Sequence, residues 1–292
     1  MKLRLVGPSK PFDLQNTLSC GQLFRWEKHG DWWFGIVERQ VLKMRQVNNS
    51  LEFEGCGSGF VEEYFRLQDD LPHIISTICR DAFIRRATEA FPGLRVVRQA
   101  PWECLISYIC ATYKNIPSIK GMITELSERF GEEVTFEDRV FHAFPEPEVL
   151  ARASEHELET CRLGFRAKRV RQAARAVAEN EVDFEALRKG NYMEAKSELL
   201  NLPGVGHKVA DCVLLFSLDK LESFPVDVWI KRIVQERYRH WFDASFITRI
   251  SRKNSLSPRE YDKVSSLAQD YFGEFAGYAQ EYLFHFARSK LT

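Results

Sequence analysis

The sequence lacks the features that mark a disulfide-bonded, zinc-binding or membrane-spanning chain. Its seven cysteines are an odd number and include no C-x-x-C pair. Disulfide frameworks and zinc sites use cysteines in pairs at short spacings, so neither is expected. No window approaches the roughly 18 consecutive apolar residues of a membrane span, and the N-terminal MKLRLVGPSK has no apolar run typical of a secretion signal. We expect an intracellular protein with no membrane partner.

The sequence also has no excess of charge of either sign. Forty-one basic and 41 acidic residues cancel, so any affinity for a polyanion must come from local clusters. Residues 161–177 contain six Lys or Arg and no acid, and residues 249–259 contain four. Such stretches are typical both of solvated helix faces and of phosphate contacts, so they do not decide between the two.

Hydrophobic spacing divides the chain into a short β region and a long helical region. Aromatic and β-branched residues separated by turn residues predict antiparallel strands at 24–26, 32–37, 41–44 and 51–53. From about Gly59 the apolar spacing is helical, as in Ile119, Met122, Ile123 and Leu126. We predict an α+β fold, with an antiparallel β domain and flanking helices at 1–95 and a mostly helical region at 96–292.

The most informative segment is L-L-N-L-P-G-V-G-H-K at 199–208, which places a glycine-rich turn between two helical patterns. Glycine at 204 and 206 allows positive φ and close approach of a ligand. The N–H groups that follow begin a helix, where a phosphate is favoured. The segment predicts a helix-hairpin-helix at about 193–218 that binds a DNA backbone. A hairpin without a ligand, or a DNA-binding module without catalysis, fits the same pattern.

Lys208 and Asp227 add a catalytic interpretation. Lys208 lies in the first turn of the second hairpin helix, where the positive helix end and apolar neighbours favour the neutral, nucleophilic amine. Asp227 precedes another helical pattern in P-V-D-V and is placed to cap it, which holds a carboxylate in a fixed direction. A phosphate-contacting lysine and a simple capping aspartate are the alternatives for each residue alone. Their joint pattern is much rarer.

These motifs resemble the helix-hairpin-helix glycosylases, and within them the 8-oxoguanine DNA glycosylases. Besides the hairpin, the resemblance covers residues 20–26, 64–67, 98–105, 163–167 and 276–284. It implies two helical subdomains beside the β domain. It also implies a bifunctional DNA N-glycosylase and abasic-site lyase, in which Lys208 attacks C1′ of a flipped nucleotide and Asp227 assists. The Schiff base then undergoes β-elimination.

The resemblance also assigns the residues that bind the base. Phe284 and Cys212 would sandwich the flipped purine, and Gln280 would read its Watson–Crick edge. The Gly21 carbonyl would accept from N7–H, a donor that 8-oxoguanine has and guanine lacks.

Contacts to the rest of the DNA follow from the same resemblance. Arg166 matches an arginine that reaches the opposite cytosine, and Phe165 an aromatic that wedges the stack. Three positions depart from the eukaryotic family pattern: Tyr113 replaces Asn, Ser118 replaces Arg and Trp229 replaces His. These departures look prokaryotic and predict modest discrimination among opposite bases. The full predicted DNA-binding set is Gly204, Val205, Gly206, His207, Trp229, Arg166, Phe165, Asn115 and Tyr113.

The implied partner is double-stranded DNA containing 8-oxoguanine, bound by a monomer that is cytoplasmic and nucleoid-associated if prokaryotic. No cofactor is required, although the family's hairpin binds a structural cation through carbonyls that map onto Leu200, Leu202 and Val205. An iron–sulfur cluster is not expected, because no cysteine follows Cys212. A glycosylase for another damaged base and a non-catalytic hairpin module remain alternatives.

Overall fold

The structure is a computed structural model that describes residues 1–4 and 11–289. Residues 5–10 lie outside the described residues, and so does most of the N-terminal segment MKLRLVGPSK, for which no secretion signal is predicted. The predicted α+β class is confirmed, since a five-stranded antiparallel sheet near the N-terminus packs beside many helices. The strands are β1 (Lys2–Arg4), β2 (Trp26–His29), β3 (Trp32–Val37), β4 (Gln40–Val47), β5 (Ser50–Glu54), β6 (Glu133–Phe136) and β7 (Arg139–His142).

Helices account for most of the remaining chain. They are α1 (Leu14–Ser19), α2 (Ser58–Tyr64), α3 (Leu71–Ile78), α4 (Ala82–Ala90), α5 (Pro101–Cys110), α6 (Ile116–Phe130), α7 (Pro147–Arg152), α8 (Glu155–Glu159), α9 (Arg166–Ala178), α10 (Phe184–Lys189), α11 (Tyr192–Leu200), α12 (His207–Ser217), α13 (Val228–Glu236), α14 (Ala244–Ser251), α15 (Pro258–Phe272) and α16 (Ala276–Ser289), with short 3₁₀ turns at Arg239–Trp241 and Gly273–Phe275. Each described helix is too short or too polar to cross a bilayer.

Two-residue turns set the register of the sheet, whose order is β1-β5-β4-β3-β2. His29 pairs with Trp32, Val37 with Gln40, and Val47 with Ser50. Each turn begins with a positive φ, at Gly30, Glu38 and Asn48, as the right-handed twist of a hairpin requires. The predicted strands are therefore present, each within a few residues of its expected position.

A second sheet, the two-stranded hairpin of β6 and β7, interrupts the region in which the sequence predicts mostly helices. Val134, Phe136 and Phe141 pack on Ile36 and Val41 of the sheet. Its turn has Glu137 at φ 51°, without the glycine or asparagine that usually marks such a turn. The hairpin covers the sheet face opposite α1 and α2.

Two hydrophobic cores lie side by side. The sheet core contains Trp26, Leu42, Met44 and Phe53 together with residues of α1 and α2. The helical core includes α3 and α4 through residues such as Leu71 and Ile84, although both helices precede the predicted boundary at 95. The boundary between domains stays a prediction. The turn that follows α1 lies where the two cores meet.

Candidate active site

A cavity of about 620 Å³ opens between the turn after α1 and helices α5, α6, α12, α13 and α16. It has the size of a small-molecule or nucleobase site. All six residues predicted for catalysis and base recognition line it, together with two predicted DNA contacts. They are Lys208, Asp227, Gly21, Gln280, Phe284 and Cys212, with Asn115 and Trp229.

The hairpin that carries Lys208 consists of α11, a turn and α12. Gly204 has φ 84°, and a Cβ there would lie 2.9 Å from the Cβ of Arg169, so the turn requires glycine for both conformation and space. Gly206 differs from expectation, because its φ is −103° and it serves as N-cap of α12. No side chain among the described residues caps α12, and space beside Gly206 is open. The N–H groups of that first turn therefore remain available to an anion.

The Lys208 side chain reaches from this helix end into the cavity. Its Nζ lies 4.9 Å from the centroid of the Tyr108 ring. Tyr108 stacks in turn on Phe216, with centroids 5.5 Å apart and planes inclined by 8°. The two stacked, buried rings therefore support the Lys208 amine from one side.

Asp227 is the N-cap of α13, as predicted. Its Oδ1 accepts from the backbone N–H groups of Trp229 and Ile230, each at 2.9 Å. Burial nevertheless raises the pKa of this carboxyl, although the Ile230 N–H and the Lys208 ammonium both act to lower it. Asp227 thus has a fixed direction and an electrostatic interaction with the candidate nucleophile.

Gly21 lies in a strained turn that only glycine fits. Its φ is 111°, and a Cβ there would lie 2.4 Å from Nη1 of Arg288 and 2.8 Å from Cδ1 of Ile116. The buried side chain of Gln22 holds this turn, because its Nε2 donates to the Arg95 carbonyl at 2.8 Å and its Oε1 accepts from the Val97 N–H at 2.9 Å. These hydrogen bonds of the neighbouring Gln22 hold the Gly21 backbone in position.

The two residues predicted to sandwich the base both belong to the lining of the cavity. Cys212 lies on α12 and Phe284 on α16, and both line the cavity. Burial raises the pKa of the Cys212 thiol to about 12, although Lys208 lowers it, so the sulfur is neutral at neutral pH. Gln280 is buried with its Oε1 unpartnered in the described chain. Unpartnered buried amide oxygens are uncommon, and this one belongs to a residue that lines the cavity.

Other predicted DNA contacts lie outside the cavity. Tyr113 and Phe165 are 77% and 57% exposed. Arg166 is buried, donating from Nε to the Thr112 carbonyl and from Nη1 to the Leu163 carbonyl, each at 3.2 Å. Its predicted contact with an opposite cytosine therefore needs this side chain to leave those carbonyls. Val205 is buried in the hairpin turn, while His207 at the start of α12 has Nδ1 2.7 Å from Asp262 Oδ1.

Sequence reasoning missed several residues of the site. Gln22 and Tyr108 support Gly21 and Lys208, while Glu281 and Arg288 line the cavity from α16. An acidic residue inside the apolar run Tyr278–Leu283 was a usable signal for Glu281. Nothing local marks the other three, because their roles depend on which elements meet.

The fold and this site define a helix-hairpin-helix DNA base-excision protein. Residues 106–252 match the model of the HhH-GPD superfamily of base excision DNA repair proteins, and residues 4–105 match the N-terminal domain of 8-oxoguanine DNA glycosylases. The chain belongs to this family of 8-oxoguanine DNA glycosylases within the HhH-GPD superfamily.

Relatives agree over most of the chain. An N-glycosylase/DNA lyase of Saccharomyces cerevisiae is 30% identical over 93% of this chain and 82% of its own. A probable N-glycosylase/DNA lyase of Methanothermobacter thermautotrophicus is 32% identical over 78% of this chain and 74% of its own. The solved 8-oxoguanine glycosylase/lyase of Clostridium acetobutylicum, bound to DNA with cytosine opposite 8-oxoguanine, has a TM-score of 0.86 at 30% identity, covering 96% of this chain and 93% of that one.

Proposed function

We propose that the protein excises 8-oxoguanine from double-stranded DNA and then cleaves the strand at the abasic site. The observation that carries this proposal is that one cavity brings an amine, a carboxylate and a base-sized slot together. The free N–H groups at the start of α12 lie beside it, where a DNA phosphate is favoured. The relatives named as glycosylase/lyases support the same activity.

Lys208 and Asp227 supply the chemistry. The Lys208 nitrogen attacks C1′ as the C1′–N9 bond breaks, and the bonding electrons leave with the base. Asp227 stabilises the positive charge that develops on the sugar and accepts a proton from the attacking nitrogen. The sugar ring opens to a Schiff base on Lys208. Loss of a C2′ proton then expels the 3′ phosphate.

The base is selected inside the cavity. The Gly21 carbonyl accepts from N7–H of 8-oxoguanine and faces the N7 lone pair of guanine, which it repels. Cys212 and Phe284 hold the two faces of the ring, and the unpartnered Gln280 amide binds its Watson–Crick edge. The four contacts come from three parts of the chain, the turn after α1, α12 and α16, so their positions depend on the whole fold.

The hairpin turn also has features that suit a structural cation. Leu200 is the last residue of α11, where carbonyls lack helical N–H partners. The Leu202 carbonyl accepts from the Val205 N–H at 3.1 Å, which leaves a second lone pair free. The carbonyls of Leu200, Leu202 and Val205 would hold a hydrated metal ion near the bound phosphate.

Borohydride trapping tests the proposed reaction, because it reduces a Schiff base to a stable amine. We expect a covalent complex with duplex DNA containing 8-oxoguanine and none with the matched guanine duplex. Lys208→Gln removes the nucleophile and should lower excision by about 10³-fold or more. Lys189→Gln, an exposed lysine at the end of α10, is the matched control and should trap normally.

A panel of other damaged bases in the same duplex separates the alternatives. Trapping with an oxidised pyrimidine but not 8-oxoguanine would contradict the substrate and leave the lysine chemistry intact. Normal DNA binding without trapping on any base would contradict the Schiff-base mechanism.

A further inference from the structure

Glu281 is a buried acid in the cavity wall that the proposed reaction does not use. It is 2% exposed and lines the cavity beside Gln280. Its Oε1 has no hydrogen-bond partner within residues 11–289. A buried carboxyl oxygen without a partner is costly, so a residue that carries one in a cavity wall is a candidate to bind a ligand there.

The packing of α16 places Glu281 close to the proposed base contacts. Glu281, Phe284 and Arg288 are three and four residues apart, so they share one face of the helix. That face packs on the turn after α1, because a Cβ at Gly21 would contact Phe284 and Arg288, and the Glu281 carboxyl faces the thiol of Cys20. Glu281 is therefore close to the turn after α1, through Cys20, and next to Gln280 in α16.

Charged and titratable groups from five elements surround the Glu281 carboxyl. They are Cys20 after α1, Tyr108 on α5, Cys212 on α12, Asp227 at the start of α13 and Arg288 on α16. Burial raises the pKa of Glu281 to about 7, and Asp227 also raises it. Cys20 and Arg288 act to lower it. The carboxyl therefore changes protonation within the physiological range.

The edge of an oxidised guanine presents three groups in order. N7–H is a donor, the C6 carbonyl oxygen is an acceptor, and N1–H is a donor again. Gly21, Gln280 and Glu281 all line the cavity, and Glu281 is next to Gln280 in α16. A neutral carboxyl can donate one hydrogen bond, which a carboxylate cannot. A protonated Glu281 therefore has the donor that the C6 carbonyl requires.

We propose that Glu281 is a specificity-determining residue that reads the group at C6 of the flipped purine. The inference rests on the proposed 8-oxoguanine activity and adds the contact that separates oxidised guanine from oxidised adenine. Neutral Glu281 donates to O6 of 8-oxoguanine. Ionised Glu281 repels O6 and accepts instead from the C6 amino group of 8-oxoadenine.

The expected pH dependence of base affinity follows from whether Glu281 attracts or repels the group at C6. Below pH 7 the proton is present and 8-oxoguanine is bound tightly, whereas above pH 7 the carboxylate faces O6 and binding weakens. For 8-oxoadenine the direction is opposite. Glu281→Gln keeps the size of the side chain and supplies an amide donor at every pH, so it should bind 8-oxoguanine without this dependence.

The test measures dissociation constants from pH 6 to pH 8.5 at constant salt. The probes are duplexes with 8-oxoguanine, 8-oxoadenine or guanine carrying a 2′-fluoro sugar, which resists excision and allows the wild-type protein to be used. We expect wild-type affinity for 8-oxoguanine to fall about tenfold across this range and affinity for 8-oxoadenine to rise. Glu281→Gln should hold 8-oxoguanine affinity constant within about twofold. Glu274→Gln, an exposed glutamate just before α16, should behave as wild type.

The outcomes are distinguishable. Equal pH dependence of wild type and Glu281→Gln, with a clear preference for 8-oxoguanine over guanine, would overturn the role of Glu281 and leave the proposed function standing. A wild-type affinity for 8-oxoguanine that does not fall as pH rises would also overturn the role of Glu281. This result needs only the wild-type protein, so it holds even if Glu281→Gln folds poorly. No preference for 8-oxoguanine over guanine at any pH would overturn both.

Discussion

At the scale of single residues, Asp227 combines a structural and a proposed catalytic role. Its Oδ1 caps α13, while its charge interacts with Lys208. Asparagine is as good an N-cap as aspartate but carries no charge. We expect Asp227→Asn to change the free energy of unfolding by less than about 1 kcal/mol and to lower excision by about 10²-fold. Urea unfolding and single-turnover excision measure the two effects.

Asp183 offers a matched control, since it caps α10 through the same contacts, with its Oδ1 3.0 Å from the N–H groups of Glu185 and Ala186. Asp183→Asn should leave both stability and excision near wild type. If Asp227→Asn also retains full activity, Asp227 is a cap alone and the catalytic role is wrong.

At the scale of elements, the hairpin depends on a buried ion pair between its two helices. Lys196 on α11 lies 3.1 Å from Asp211 on α12, and both side chains are less than 10% exposed. Tyr192 and Tyr261 each donate to the same carboxylate at 2.7 Å. Burial acts to lower the pKa of Lys196, but Asp211 and Tyr192 raise it above its usual value. Burial raises the pKa of Asp211, although Lys196 acts to lower it. The pair joins α11 to α12, which carries Lys208.

Lys196→Met should therefore destabilise the protein by about 3–5 kcal/mol, because it leaves the Asp211 charge buried without its partner. Arg175→Met removes an exposed pair with Glu179 and should cost less than about 0.5 kcal/mol. Urea unfolding monitored by tryptophan fluorescence gives both values. Equal effects of the two variants would show that the hairpin pair contributes no more than a surface pair.

At the scale of the whole molecule, the sequence predicts what is local and misses what depends on packing. The hairpin and Asp227 were predictable because glycine turns and helix caps are set by neighbouring residues. The β6–β7 hairpin was not, since its turn uses Glu137 and Asp138 and its burial depends on the distant sheet. Gln22 was missed for the same reason, because its contacts at Arg95 and Val97 lie more than 70 residues away.

The overall arrangement also separates base recognition from the residues predicted to meet the opposite strand. The lesion slot lies inside the cavity, whereas Tyr113 and Phe165 are exposed outside it. The Arg166 side chain joins the start of α9 to the segment between α5 and α6 through the Thr112 carbonyl. Its guanidinium therefore already has a hydrogen-bond partner. An arginine that must give up two carbonyl contacts gains less from a cytosine than a free one does.

We therefore expect the rate of 8-oxoguanine excision to differ by less than about tenfold among duplexes with cytosine, adenine, guanine or thymine opposite the lesion. A specific base contact is worth about 1–3 kcal/mol of discrimination. The loss of such contacts with cytosine should therefore reduce the preference for that base. Single-turnover rates on the four duplexes measure this. Tyr113→Asn combined with Ser118→Arg introduces the side chains of the eukaryotic family pattern and should raise the preference for cytosine. Phe165→Leu, which keeps an apolar wedge, should slow all four reactions alike. A wild-type preference for cytosine above about 100-fold would contradict the prediction, and would mean that Arg166 leaves the Thr112 and Leu163 carbonyls when DNA binds.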